Sequence, residues 1–127
     1  MNWLAHIRKR SQLLRLESWK LELPRPSDLG GPLAEVSYDY QYLNATLDTD
    51  RLLALKPSLT QRETLTHELL HLALAPLTEA AGQAVGALEA FSGKAAEVYR
   101  EQLELREEQV TETLARAIEE LASAKRA

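Results

Sequence analysis

Hydrophobic and polar positions follow two different periods along this chain of 127 residues. Apolar side chains recur at helical spacing over residues 3–15, which predicts a short amphipathic helix. Polar and apolar residues alternate over residues 18–23, 34–42 and 44–48, which predicts three short strands. The link between the last two strands is too short for a crossover helix, so we expect a mainly antiparallel sheet.

Residues 60–75 predict a helix that is apolar on nearly every side. Thr60 followed by Glu63 has the spacing of a capping box at its start, and Pro76 predicts its end. Its apolar residues are Leu65, Leu69, Leu70, Leu72 and Leu74. A helix surrounded by apolar side chains is expected in the middle of a domain.

Residues 78–127 are rich in good helix formers and predict helix, with a break near residues 92–93. Its last part carries a predicted apolar stripe formed by Leu103, Val110, Leu114, Ile118 and Leu121. Turn-forming residues predict a loop over residues 27–32. We therefore expect one α+β domain over residues 1–127, in which a small antiparallel sheet packs on the central helix between an N-terminal helix and one or two C-terminal helices.

The central helix contains one His-Glu-x-x-His motif, formed by His67, Glu68 and His71. The two histidines are one turn apart on the same face and can bind one zinc ion, while Glu68 can reach a water beside the metal. A helix with two surface histidines is the simplest alternative, but the apolar surroundings argue against it. Polar side chains in such surroundings need hydrogen bonds or a metal, because unpaired burial is costly.

A catalytic zinc site usually has three protein ligands and one open position. The chain has no cysteine, and its third histidine, His6, is distant in sequence, so a carboxylate is expected as the third ligand. The candidates are Asp39, Asp48, Asp50, Glu104, Glu107, Glu108 and Glu112. Glu107 lies in the middle of the predicted apolar stripe and Glu108 at its edge, so helix geometry leaves the choice open.

The motif His67-Glu-Leu-Leu-His71, followed by a helix with Glu-x-x-Thr-Glu-x-Leu-Ala over residues 108–115, resembles the gluzincin metallopeptidases. It is similar to the minimal gluzincins and to the phage-associated ImmA/IrrE-type metallopeptidases. The resemblance implies that Glu108 is the third zinc ligand. It also implies that Glu112 orients a histidine, from the place where relatives have Asn or Asp, while Thr111 replaces a small alanine.

The resemblance implies a zinc-dependent peptidase in which Glu68 is the general base that activates water. It also implies that an extended peptide pairs with the strand before the motif helix, at residues 44–48. Two alternatives remain open. The zinc could have only a structural role, or the domain could be a weak or inactive metallopeptidase that acts as a regulatory protein-binding module.

Composition limits the remaining function classes. The net charge of −4 does not favour nucleic-acid binding, and no apolar run is long enough for a membrane span or a signal peptide. The absence of cysteine fits a reducing cytoplasm, so a cytoplasmic peptidase acting on a peptide or protein is expected. Residues 1–20 form an exception to the acidic balance, with five basic residues and one acid, and could contact an acidic partner or phosphates.

Overall fold

A computed structural model describes residues 3–23, 34–49 and 58–126. Within these ranges the chain forms three helices and three strands. In order, they are α1 (Trp3–Leu13), β1 (Lys20–Glu22), β2 (Glu35–Asp39), β3 (Asn44–Asp48), α2 (Leu59–Glu89) and α3 (Gly93–Arg126). The predicted α+β class is confirmed, and helix predominates. The predicted loop at residues 27–32 lies outside the described residues.

The three strands form one sheet in the order β1-β3-β2. β2 and β3 are antiparallel, with Val36 opposite Leu47, as predicted. β1 runs parallel to β3, with Leu21 opposite Ala45, so the sheet is mixed and the prediction of an antiparallel sheet is wrong for this pairing. Parallel neighbours need a connection of about a dozen residues or more. Residues 23–43, which include β2, provide that length.

The hydrophobic core contains side chains from α1, the sheet and the first half of α2. β3 is the central strand, and its alternate residues Ala45 and Leu47 are buried. Leu47, Leu65 and Leu69 are completely buried. Burying one such leucine side chain contributes about 1.5–3 kcal/mol. This core determines which side of α2 faces inward and which side is left for polar residues.

Helix α2 begins earlier and ends later than predicted. Ser58 is the N-cap and accepts a hydrogen bond from the Gln61 backbone N–H, so the predicted capping box at Thr60 is wrong. Pro76 does not end the helix, which continues to Glu89. A proline inside a helix costs about 3 kcal/mol, but good helix formers follow it and α2 packs extensively against α3. These tertiary contacts stabilise the helix more than Pro76 destabilises it.

Helix α3 begins at Gly93, so the predicted break near residues 92–93 is confirmed. The predicted apolar stripe is not the face that α3 buries. Val110, Leu114 and Leu121 of the predicted stripe are exposed. The buried residues of α3 are instead Ala96, Thr111, Ala115 and Glu119. Small side chains at this contact let two helix backbones approach closely, whereas periodicity of apolar residues does not reveal such a face.

A buried ion-pair cluster joins all three helices. The Glu119 carboxylate is fully buried and accepts hydrogen bonds from the Arg10 guanidinium of α1, one of them from Arg10 Nη2 to Glu119 Oε1 at 3.1 Å. Thr66 of α2 donates its hydroxyl to Glu119 Oε2 at 2.9 Å. His6 Nε2 and Arg62 Nε lie 3.7 and 3.8 Å from Glu119 Oε1. Because Thr66 immediately precedes His67, this cluster sets the position of α3 beside the motif helix.

Helix α1 ends in a Schellman motif. The Leu16 N–H donates to the Ser11 carbonyl at 2.9 Å, and the Arg15 N–H donates to the Gln12 carbonyl at 3.2 Å. Arg15 has a φ of 60°, in the left-handed region where glycine is favoured. Leu16, the next residue, is buried in the core, as is usual for this motif.

Among the residues that the structure describes, no helix combines the length and the apolar character that crossing a membrane requires.

Candidate metal centre

His67 and His71 lie one turn apart on the side of α2 that faces α3. Their ring centroids are 5.0 Å apart and their planes are inclined by 69°. Both side chains are partly exposed, at 21% and 16%. The completely buried Leu65 and Leu69 hold the opposite side of the helix in the core, so the histidines are held at the surface of the α2–α3 contact.

The Glu108 carboxylate of α3 contacts both histidines. Its Oε2 lies 3.1 Å from His67 Nε2, and its Oε1 lies 3.0 Å from His71 Nε2. One ligand atom from each of the three residues lies within 4.8 Å of the other two. Ligand atoms about 2.1 Å from a tetrahedral zinc are about 3.4 Å apart, so only small side-chain movements separate this arrangement from a zinc site.

Glu107 has a different place from its neighbour. Its Oε1 lies 3.1 Å from His71 Nδ1, the ring nitrogen on the far side from Glu108. A proton on Nδ1 that is donated to Glu107 leaves the Nε2 lone pair available for a metal. Glu107 is therefore placed to orient His71, whereas the resemblance implied this kind of role for Glu112. Glu112 instead forms an exposed pair with Arg116 at 3.3 Å.

The other candidate ligands are not in this group. Among the described residues, the one group of three that could hold a metal consists of His67, His71 and Glu108. Asp39 accepts a local hydrogen bond from the Gln41 backbone N–H. Asp50 lies outside the described residues.

Glu68 is anchored by the sheet. Its Oε2 accepts a hydrogen bond from the Val36 backbone N–H of β2 at 3.1 Å. Burial raises the pKa of Glu68, although the nearby charges of His71 and His67 and the Val36 hydrogen bond act in the opposite direction. A carboxylate with a raised pKa binds a proton more readily than an exposed one, which is the property that a general base requires.

A cleft of about 380 Å³ opens beside His67 and Glu68. Its other lining residues come from the first turns of α2 and from α3, and they are Thr60, Glu63, Thr64, Glu112, Ala115 and Arg116. The cleft gives a molecule from solvent access to Glu68 and His67.

Three contributions to this centre were not predicted from the sequence. The Val36 backbone N–H has no sequence signal, because any residue could supply it. Thr111 lies with its hydroxyl 3.4 Å from His67 Nε2, and the same hydroxyl donates back to the α3 backbone. The Tyr38 ring packs against the Trp19 ring with their centroids 5.6 Å apart, and burial together with the negative charge of Glu107 raises the pKa of Tyr38.

Comparisons of the chain with protein-family models, with curated proteins and with solved structures find no match.

Substituting Glu107 and Glu108 separately is expected to distinguish their roles. Glu107→Ala is expected to weaken zinc binding by about 10–100-fold, because His71 loses its orienting partner. Glu108→Ala is expected to weaken it further, because a ligand atom is lost. Zinc affinity is measured by competition with a chromophoric chelator, and Glu104→Ala on the same helix is the control. Equal zinc affinities of the Glu107 and Glu108 variants would contradict the assignment.

Proposed function

We propose that the protein is a zinc-dependent peptidase, in which His67, His71 and Glu108 hold the metal and Glu68 is the general base. The observation that carries this proposal is the convergence of three ligand atoms within 4.8 Å beside a carboxylate that is not one of them. Two imidazoles and one carboxylate form a donor set that suits catalytic zinc, because a fourth position is left open. A purely structural zinc site would be closed by a fourth protein ligand and would have no use for Glu68.

When bound, zinc would lower the pKa of a water molecule towards neutrality and polarise the carbonyl of the scissile bond. Glu68 takes a proton from the attacking water and passes it to the leaving amine. The hydrogen bond from Val36 to Glu68 Oε2 fixes the carboxylate and leaves its other oxygen, Oε1, to act as the base. Glu107 keeps His71 in the tautomer whose Nε2 faces the metal position.

The substrate edge differs from the one expected from resemblance. β3 has a neighbour on each side, so it is the central strand and cannot take a peptide along its edge. β2 is an edge strand among the described residues. The Val36 N–H points away from β3, towards Glu68. The backbone N–H and C=O groups of an antiparallel strand point to alternate sides from one residue to the next, so those of Tyr38 also point away from β3. An extended peptide paired with β2 at Tyr38 would therefore lie beside Glu68.

The mixed sheet and α1 support the motif helix in this proposal. Leu47 of β3 and Leu65 and Leu69 of α2 share one core, which holds the β2 edge at a fixed distance from Glu68. A cytoplasmic location and a peptide or protein substrate stay predictions from the sequence.

Metal content tests the first step of the proposal. The wild-type chain, purified without added zinc and then incubated with excess zinc and desalted, is expected to retain about one zinc per chain. His71→Ala is expected to retain much less, because two ligands seldom hold catalytic zinc. Atomic absorption measures the content, and circular dichroism checks that the variant is folded. A wild-type chain without stoichiometric metal would refute the enzyme proposal.

A further inference from the structure

A second surface feature lies near the C-terminal end of α3, beyond the candidate metal centre. A groove of about 840 Å³ runs between the end of α1 and the last turns of α3. We call it the α1–α3 groove. Its apolar lining residues are Leu13, Ile118, Leu121 and Ala122, and its polar lining residues are Lys9, Arg10, Gln12 and Arg15.

The groove leaves large apolar side chains in contact with solvent. Leu13 is 58% exposed and Leu121 is 67% exposed, although both line the same depression. Single exposed leucines are common on protein surfaces, but two that share a concave surface with Ile118 and Ala122 form a contiguous apolar patch. Such a patch is typical of a protein interaction site.

The charge of the groove is opposite to that of the whole chain. Lys9, Arg10 and Arg15 supply three positive charges, and among the residues that the structure describes none that lines the groove is acidic. Arg10 is neutralised by the buried Glu119, which leaves Lys9 and Arg15 to face an incoming molecule. The whole chain carries a net charge of −4, so this basic rim is a local feature. Complementary charge favours an acidic partner.

Arg15 occupies a backbone position that does not favour arginine. It is the residue after the end of α1, with a φ of 60°, where glycine is preferred because it has no Cβ. A non-glycine residue in this conformation costs of order 1 kcal/mol or more. An arginine there places a positive charge at the rim of the groove at the expense of local backbone stability.

We propose that the α1–α3 groove binds an amphipathic helix of an acidic partner protein. The apolar side of that helix would cover Leu13 and Leu121, and carboxylates beside it would pair with Lys9 and Arg15. A nucleic acid would use the basic rim but would leave the leucines uncovered, so the apolar floor favours a peptide. The remaining acidic balance of the chain disfavours nucleic acid further.

This proposal is independent of the peptidase. Glu108 and Ile118 are 10 residues apart on α3, which places the near edge of the groove about 15 Å along the helix from the candidate ligand. A partner in the groove would leave the cleft beside Glu68 free. Loss of zinc binding would therefore not affect the groove, and loss of groove binding would not affect zinc content.

The probe is a fluorescein-labelled synthetic helix of about 18 residues, long enough to be helical when stabilised, with leucine at every third or fourth position and glutamate at the exposed positions. Fluorescence anisotropy is expected to show saturable binding that weakens with added salt. A matched peptide with lysine in place of glutamate is expected to bind at least about tenfold more weakly, because it meets like charges at the rim.

Variants of exposed residues locate the binding site. Leu13→Gln and Leu121→Gln are each expected to weaken binding of the acidic peptide by about tenfold, because each removes a leucine side chain that would be buried. The matched controls are Leu4→Gln on α1 and Leu114→Gln on α3, which replace exposed leucines outside the groove. Both controls are expected to bind like the wild type.

Arg15→Gly separates binding from folding. Glycine relieves the left-handed conformation, so this variant is expected to be at least as stable as the wild type while it binds the acidic peptide several-fold more weakly. Stability is measured by urea denaturation of the full chain. Unchanged peptide binding by Arg15→Gly would contradict the role given to the rim.

Four results would overturn the proposal. The first is that the acidic peptide does not bind, and the second is that the lysine peptide binds equally well. The third is that duplex DNA or anionic phosphatidylserine vesicles bind more strongly than the acidic peptide. The fourth is that the wild type self-associates and Leu13→Gln abolishes this self-association. The last result, measured by sedimentation, would mean that a second copy of the chain covers the groove.

Discussion

Glu68→Gln is expected to reduce peptide hydrolysis by about 10²–10⁴-fold, the usual contribution of a positioned general base. The amide has nearly the shape of the carboxylate but cannot take a proton from water at neutral pH. It can still accept the hydrogen bond from Val36, because its oxygen can face the same N–H. Cleavage is measured with a library of fluorogenic peptides on zinc-loaded protein.

Metal content separates loss of chemistry from loss of the site. Glu68 is not in the group of three ligand residues, so Glu68→Gln is expected to retain as much zinc as the wild type. Glu101→Gln, on the exposed surface of α3, is the matched control and is expected to cleave like the wild type. Equal cleavage by wild type and Glu68→Gln would refute the general-base role even in a chain that binds zinc.

Glu119→Ala is expected to lower the free energy of unfolding by about 3–5 kcal/mol, because it leaves the buried Arg10 charge without its partner. Urea denaturation followed by circular dichroism measures the change. Glu112→Ala is the matched control on the same helix, because it breaks the exposed pair with Arg116 and should cost less than about 1 kcal/mol. If Glu119→Ala lowers the free energy of unfolding no more than this control does, the buried cluster does not stabilise the fold as expected.

A double substitution tests whether the ion pair itself is required. Replacing Arg10 and Glu119 together by methionine removes both charges and fills similar volume, so the double variant is expected to be more stable than Glu119→Ala. If the double variant is less stable than Glu119→Ala, the unpaired charge of Arg10 is not the cause of the stability that Glu119→Ala loses.

The same cluster predicts how stability depends on pH. Burial by itself raises the pKa of Glu119, but the hydrogen bonds from Arg10 and Thr66 and the Arg10 charge outweigh it, and the net pKa is lowered. A carboxylate whose pKa is lower in the folded state than in the unfolded state stabilises the fold at every pH above its unfolded-state pKa. That contribution is lost as the pH falls through the folded-state pKa. The wild type is therefore expected to lose stability in acid more steeply than Glu119→Gln.

The central motif was readable from the sequence because its geometry is local. Residues four apart on a helix share one face, so His67 and His71 meet wherever the helix lies. The alternation of polar and apolar residues that predicted the strands is also a local feature, and β2 and β3 pair as expected. The basic character of residues 1–20 was visible too, but the sequence did not show that Arg10 is buried against Glu119 while Lys9 and Arg15 line a groove.

The packing of α3 could not be read from the chain. Periodicity pointed to Val110 and Leu114, yet the contact with α2 uses Thr111 and Ala115. Close packing of two helices depends on small side chains and on the Glu119 ion pair, neither of which produces an apolar stripe. The position of each α3 glutamate relative to the histidines follows from that contact and not from its own sequence context.

The sequence by itself determined the three residues of the motif, their common face and the α+β class, because spacing along one element decides these features. Tertiary structure alone decided that Glu108 faces both Nε2 atoms, that Glu107 faces His71 Nδ1, and that β2 rather than β3 is the edge beside Glu68. Each of these depends on how separate elements approach one another, and that approach is set by core packing and buried charge distributed over the whole chain.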